Sequence, residues 1–242
     1  MRKDRANAGR SEHSWIKHDL FRKPVRAQSF AYRVRFPDAR MLLVDANSGD
    51  GEGVARTDDL FRHPSEASAE MLNKIAAAAG ADLCLCEKVK SRRLKLMERF
   101  GSSAVVLAKH EEVPALVLAG KYNYVLWLSD PCGYAGHGLE PMKQTARLCP
   151  RSDFVIALNI GAIDRLNGVN PDDPWWGGTR QKWIPTEIAK PVWWRDLLGK
   201  KQVSSSDVIE QSRGFKFKIL VVSNFLAQAS RKRPFKVIEK EE

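Results

Sequence analysis

Between residues 41 and 160 one pattern recurs: a short, uninterrupted apolar run, a polar turn, then an amphipathic stretch. The runs are "MLLVDA" from Met41, "DLCLCEK" from Asp82, "SAVVLAK" from Ser103, "YVLWLSDP" from Tyr124 and "DFVIALNI" from Asp153. A strand that is apolar at every position must bury both faces, which a parallel sheet covered on both sides allows. The stretches between read as helices. "SEASAEMLNKIAAAAG" has a start signal at Ser65 and a stop at Gly80, "SRRLKLMERFG" is again opened by serine and closed by glycine, and "GLEPMKQTARLC" follows the fourth run. "EVPALVLAG" suits a helix or a strand, and "FKFKILVVSN" reads as a further strand. Residues 13–36 predict a basic helical lead-in broken near Pro24. The expected fold is α/β: a doubly wound, mostly parallel, Rossmann-like sheet with helices on both faces.

A chain of 242 residues, 43% hydrophobic and 29% charged, can bury one large core. No apolar run approaches the ~18 residues of a membrane helix, and no apolar segment follows the basic N-terminus as in a secretory signal. Cys84, Cys86, Cys132 and Cys149 form no C-x-x-C pair, and Cys84 and Cys86 sit inside an apolar run. Reduced core thiols of a cytoplasmic protein are the expectation. The net charge of +11 is uneven: residues 1–40 carry +7 and residues 190–242 carry +6, leaving −2 between. Basic flanks around a neutral middle suit a polyanion, because lysine and arginine displace the counterions of phosphates. The expected organisation is a basic lead-in over 1–40, then an α/β domain over 41–242 with a Trp-rich insert at 170–199 and a basic tail at 230–242.

Ligands of such folds bind beyond the carboxyl ends of the strands. After the first run come Asp45, Asn47 and "GDGEG", with Gly49, Gly51 and Gly53. Alternate glycines bare the backbone and supply positive φ. Asp50 and Glu52 between them would repel a phosphate and suit a cation, or a ligand bearing an ammonium and a sulfonium. Glu87 follows the second run, where an acid can accept hydrogen bonds from both ribose hydroxyls of an adenosine. "SDPCGY" follows the fourth run and "NIGAIDR" the fifth.

These residues resemble a class I S-adenosylmethionine-dependent methyltransferase. "VDANSGDGEG" is similar to its first motif, Glu87 to its ribose-binding acid, and "SDPCGY" stands at its catalytic fourth-strand motif. "SWIK" (Ser14–Lys17), "HPSEA", "SDPCG" and "GAIDR" (Gly161–Arg165) resemble, more narrowly, the three-Cys-motif partner proteins of bacteria and phages. The resemblance implies that S-adenosylmethionine lies with its methionine end against Asp45, Asn47, Gly49, Gly51 and Gly53 and its ribose on Glu87. Asp130 would face the reacting centre. Amino-methyltransferases of nucleic acid bases often carry Asp/Asn-Pro-Pro-aromatic there. Asp130 and Pro131 match, Cys132 replaces the second proline, and Tyr134 comes one residue late. His137 reads either as a proton acceptor beside the methyl acceptor or as an exposed turn residue. Arg165 is expected to pair with Asp164 or Glu140.

Trp175, Trp176, Trp183, Trp193 and Trp194 fall in a stretch rich in proline that also carries Arg180, Lys182, Lys190 and Arg195. It reads as a structured loop, serving as a stacking platform for bases, as a lid packed on the sheet edge, or both. "SRKRPFK" (Ser230–Lys236) is a solvated tail or a phosphate anchor. The leading functional expectation is a methyltransferase acting on DNA or RNA. The alternatives are a nucleic-acid-binding or defence-associated module with a degenerate fold, and a Mg²⁺-dependent nuclease using Asp45, Asp50, Glu52 and Asp130.

Overall fold

Strand β1 (Met41–Asp45) shows why the runs are apolar throughout. Leu43 packs into one hydrophobic cluster, while Leu42 and Val44 pack into another on the opposite face of the sheet. Strand β2 (Asp82–Cys86) divides in the same way: Leu83 and Leu85 face one side, Cys84 and Cys86 the other. The alternation of side chains along a strand thus places both sets in a core. The computed structural model of the chain describes residues 12–51, 67–130, 137–160, 163, 186–211, 215–227 and 235–238.

Strands β3 (Val105–Leu107), β4 (Tyr124–Ser129) and β5 (Asp153–Asn159) join them in the order β3-β2-β1-β4-β5, all parallel. Beyond β5 the sheet turns antiparallel. β8 (Phe215–Ser223) pairs with β5 from Phe154↔Val222 to Asn159↔Phe217 and also holds β6 (Gln202–Ser206) and β7 (Ile209–Gln211). β9 (Phe235–Ile238) closes that edge against β6. The architecture is the expected doubly wound, mostly parallel α/β sheet with helices on both faces.

Helices α1 (Glu12–Arg35), α2 (Ser68–Ala79) and α3 (Lys90–Phe100) cover one face with Phe21, Val25, Met71, Leu72, Leu96 and Phe100. Helices α4 (Val113–Gly120), α5 (Leu139–Leu148) and α6 (Pro191–Leu197) cover the other with Val113, Val117, Met142 and Trp194. The ambiguous "EVPALVLAG" is therefore helical, with Pro114 in its first turn, where no amide partner is lost.

Three expectations need correction. Pro24 does not break the lead-in. α1 runs through it, because the buried Phe21, Val25 and Gln28 hold both halves on the sheet, outweighing the missing amide. Ser65 lies outside the described residues; the described helix begins at Ser68 behind Ala67, and the Ser68 hydroxyl is used elsewhere. The basic tail is not wholly solvated, since Phe235 is buried and residues 235–238 form β9.

Two polar arrangements fasten α1. The Arg33 guanidinium donates to the carbonyls of Ala79 (2.7 Å), Gly80 (2.6 Å), Ala39 (2.9 Å) and Pro37, covering the open end of α2 where Gly80 takes φ +62°. Gln28 Nε2 donates to Asp153 Oδ2 (2.7 Å) and to the Phe225 carbonyl (3.0 Å), and Gln28 Oε1 accepts from the Ala227 amide. Asp153 also accepts from Tyr124 (2.8 Å) and Ser223 (2.6 Å), so a carboxylate buried under the sheet is fully engaged. No helix among the described residues is long and apolar enough to cross a membrane.

Candidate active site

Register builds the site. Asp45 pairs with Leu85 on one side and Leu128 on the other. Two residues further along those neighbours stand Glu87 and Asp130. Three carboxylates thus follow three adjacent parallel strands, β2-β1-β4, across roughly 10 Å of sheet. Backbone bonds tie the strand ends together: Ala46 donates to the Leu128 carbonyl (3.0 Å), Ser48 to Cys86 (3.1 Å) and Glu87 to Leu107 (3.1 Å).

Asp45 is 1% exposed. Its Oδ2 accepts from the Ser68 hydroxyl (2.7 Å) at the start of α2, and its Oδ1 from the Asn47 amide (3.1 Å). Burial raises its pKa from the ordinary carboxylate range to about 6, and the charge of Asp130 adds to the rise, while the Ser68 and Asn47 bonds oppose it.

The glycines that follow do different work. Gly49 takes φ +64° with nothing within 4 Å of where a Cβ would stand. Gly51 takes φ +71° because α3 crowds it: a Cβ there would come within 2.8 Å of Leu96 Cδ2 and 3.0 Å of Phe100 Cε2. Gly49 faces open space, whereas Gly51 lets the loop rest on a helix. Gly53 and Glu52 lie outside the described residues.

Glu87 is buried, at 9% exposure. Its Oε1 accepts from the Val89 amide (2.7 Å), which fixes the carboxylate at the strand end, and its carbonyl accepts from Arg93 (3.1 Å).

Past β4, Asp130 is half-buried. His137 is not an exposed turn residue: it is 3% exposed, its Nδ1 lies 2.9 Å from the Ser129 hydroxyl, and its ring meets the edge of Trp194 at 5.3 Å. Burial lowers its pKa to about 4, against the pull of Asp130, so the ring is neutral at pH 7. Trp194 is fully buried and donates to the Ile188 carbonyl (2.9 Å), and Trp193 packs on it edge-on at 5.2 Å. These two tryptophans pack as part of the wall on α6. Trp175, Trp176 and Trp183, like Cys132, Tyr134, Asp164 and Arg165, lie outside the described residues. Glu140 pairs with Lys143 (3.2 Å).

Two contributors, Ser68 and His110, carry no motif signal in the sequence, and Trp194, legible within the Trp-rich stretch, gains its place beside His137. Ser68 sits in a helix and bonds across 23 positions to Asp45. His110 follows β3, and a Cβ on Gly138 would come within 2.5 Å of its ring, which brings it beside His137. Only a trailing turn after the third apolar run could have pointed to His110. Among the described residues no three His, Cys, Asp or Glu side chains converge to hold a metal ion, so the set suggested for Mg²⁺ is not assembled there. Cys84, Cys86 and Cys149 are buried free thiols, as expected.

No family model matches the chain, and no curated protein matches it. Solved structures do. Protein LPL1258 from Legionella pneumophila superposes with a TM-score of 0.51 at 12% identity, covering 84% of this chain and 85% of that one. An S-adenosylmethionine-dependent methyltransferase from Agrobacterium tumefaciens gives 0.45 at 11% identity, covering 84% and 62%. An rRNA methylase from Streptococcus thermophilus gives 0.41 at 10% identity, covering 86% and 94%. Identities this low speak to the fold alone.

Proposed function

We propose that this chain is an S-adenosylmethionine-dependent methyltransferase acting on nucleic acid. The observation that carries the reading is the register, which sets Asp45, Glu87 and Asp130 at the ends of three adjacent parallel strands beside the Gly49–Gly51 turn. The residues fit the cofactor on two counts. Asp45 is a buried acid whose charge an ammonium would stabilise. Among the described residues nothing lies within 4 Å of where a Cβ on Gly49 would stand, which leaves room for a ligand's approach.

In this reading Asp45, Asn47 and the loop glycines Gly49, Gly51 and Gly53 hold the amino-acid end, and Glu87 accepts from the ribose hydroxyls. When bound, the cofactor supplies a methyl group on an already activated sulfur. The chain then has mainly to align the acceptor, and such alignment alone lowers barriers by several kcal/mol, up to ~7–11. Asp130 accepts a hydrogen of the acceptor amine and so orients its lone pair. Tyr134 stacks on the base. His137, neutral at pH 7, serves by holding the β4 end through Ser129. The uneven +11 charge supports a nucleic acid as the acceptor. The narrower likeness to three-Cys-motif partner proteins, and a cytoplasmic setting, belong to the same proposal.

Calorimetry with S-adenosylmethionine, followed by transfer of labelled methyl to RNA and DNA, tests it. Asp130→Ala is expected to keep cofactor binding and lose transfer. A folded protein that binds no cofactor refutes the reading, and cofactor binding without transfer to any nucleic acid leaves the degenerate module in its place.

A further inference from the structure

Helix α3 starts three residues after Glu87 and lies against the glycine turn through Leu96 and Phe100. Those are the two side chains it buries. The rest of its surface is given over to charge. From Lys90 to Arg99 it carries five lysines and arginines against Glu98 alone, and Lys88 stands just ahead of it. Arg99 is engaged with Glu70 (3.0 Å), and Arg93 with the carbonyls of Glu87 and Lys88. Lys88, Lys90 and Lys95 stand exposed, and Leu94 (55%) and Met97 (52%) lie bare among them.

Such a face costs the fold something. Lys95 and Arg99 are like charges four apart in the helix, a pair that destabilises it by about 0.2–0.5 kcal/mol. The opposite layer carries less charge: α4 has no charged residue, and α5 sets Glu140 against Lys143 and Arg147. α1 is basic as well, and among the described residues α3 is the basic helix that packs on the candidate cofactor turn.

We infer that the outer face of α3 carries the phosphodiester backbone of the substrate strand toward the crevice, with Lys90 and Lys95 as phosphate contacts and Leu94 and Met97 against sugars or bases. Charge complementarity selects this occupant: a polyanion relieves the repulsion along the helix and releases its own counterions. The inference rests on the nucleic-acid reading above and adds where the strand lies.

The test uses the Lys90→Ala, Lys95→Ala double variant, since alanine keeps the helix. Fluorescence anisotropy of labelled single-stranded RNA, and of DNA of the same sequence, is followed across a KCl series. The slope of log K against log[KCl] is expected to fall by about 1.4 from wild type, as for two lost contacts on a single strand. An Arg22→Ala, Lys23→Ala control on α1, part of the basic flank, is expected to lower the slope by less than the α3 variant does, and calorimetric affinity for S-adenosylmethionine is expected to match wild type in both. The oligonucleotide whose slope falls identifies the source of the phosphates. An unchanged slope in the α3 variant, an equal fall in the α1 control, or wild-type protein that binds neither oligonucleotide overturns the inference. Cofactor binding in that last case leaves the methyltransferase reading standing. A fallen slope with no cofactor binding supports the surface and removes the methyltransferase.

Discussion

Replacing Asp45 with asparagine is expected to stabilise the protein in a pH-dependent way. The folded pKa of Asp45 is raised from 3.8 to about 6. A raised acid favours folding while protonated, so its stability is complete below the unfolded value and is lost as pH rises through about 6. Two pKa units correspond to about 3 kcal/mol of cost once the carboxyl is ionised, most of it incurred between about pH 4 and pH 8. Asparagine keeps an acceptor for Ser68 or the Asn47 amide and never ionises. Urea denaturation of both proteins across that range should therefore show a stability gap in favour of Asp45→Asn that widens by about 2 kcal/mol. Asp153, whose pKa burial also raises, contributes equally to both proteins and cancels. The same variant should bind S-adenosylmethionine at least about tenfold more weakly, since a charged hydrogen bond is worth about 1.5–3 kcal/mol. A gap that does not change with pH would mean that Asp45 ionises like a solvated acid, and the account of its burial would fail.

Glu87→Gln should weaken cofactor binding about tenfold or more in calorimetry with little change in thermal midpoint, because glutamine keeps one oxygen for the Val89 amide and loses the second acceptor that a ribose hydroxyl would use. Gly49→Ala should cost about 1 kcal/mol in urea denaturation for its positive φ alone. Gly51→Ala, which adds the overlap with Leu96 and Phe100, should cost about 2–3 kcal/mol. Equal losses would contradict the difference in their surroundings. Gln28→Ala should destabilise by about 2 kcal/mol, because Asp153 loses a buried donor and the Ala227 amide its acceptor.

The parallel half was legible because burial on two faces leaves no room for polar residues, and "MLLVD", "YVLWLS" and "DFVIALN" announce themselves. The antiparallel half was legible at β8, as "FKFKILVVSN", and hidden in its neighbours. β6 reads "QVSSS", yet its serines are buried, with Ser206 Oγ accepting from the Ile219 amide (3.0 Å). β7 and β9 are three and four residues long and carry no run to detect. The site divided along similar lines. Asp45, Glu87 and Asp130 were visible by their place after strands. The burial of Asp45, its bond to Ser68 and the inward turn of His137 depend on contacts distant in sequence, which no local pattern encodes.

The hold of Gln28 on residues 225–227 has a consequence for synthesis. A helix near the beginning of the chain finds its last partners only after β8 has been made, almost two hundred residues later. Until then β5 presents an open edge, and Asp153 lacks Ser223. A nascent chain stopped before residue 215 should therefore display an aggregation-prone strand and a loosely seated first helix. The acquisition of protease resistance at α1 should coincide with the emergence of β8, so a helix made long before β8 would be among the last to settle.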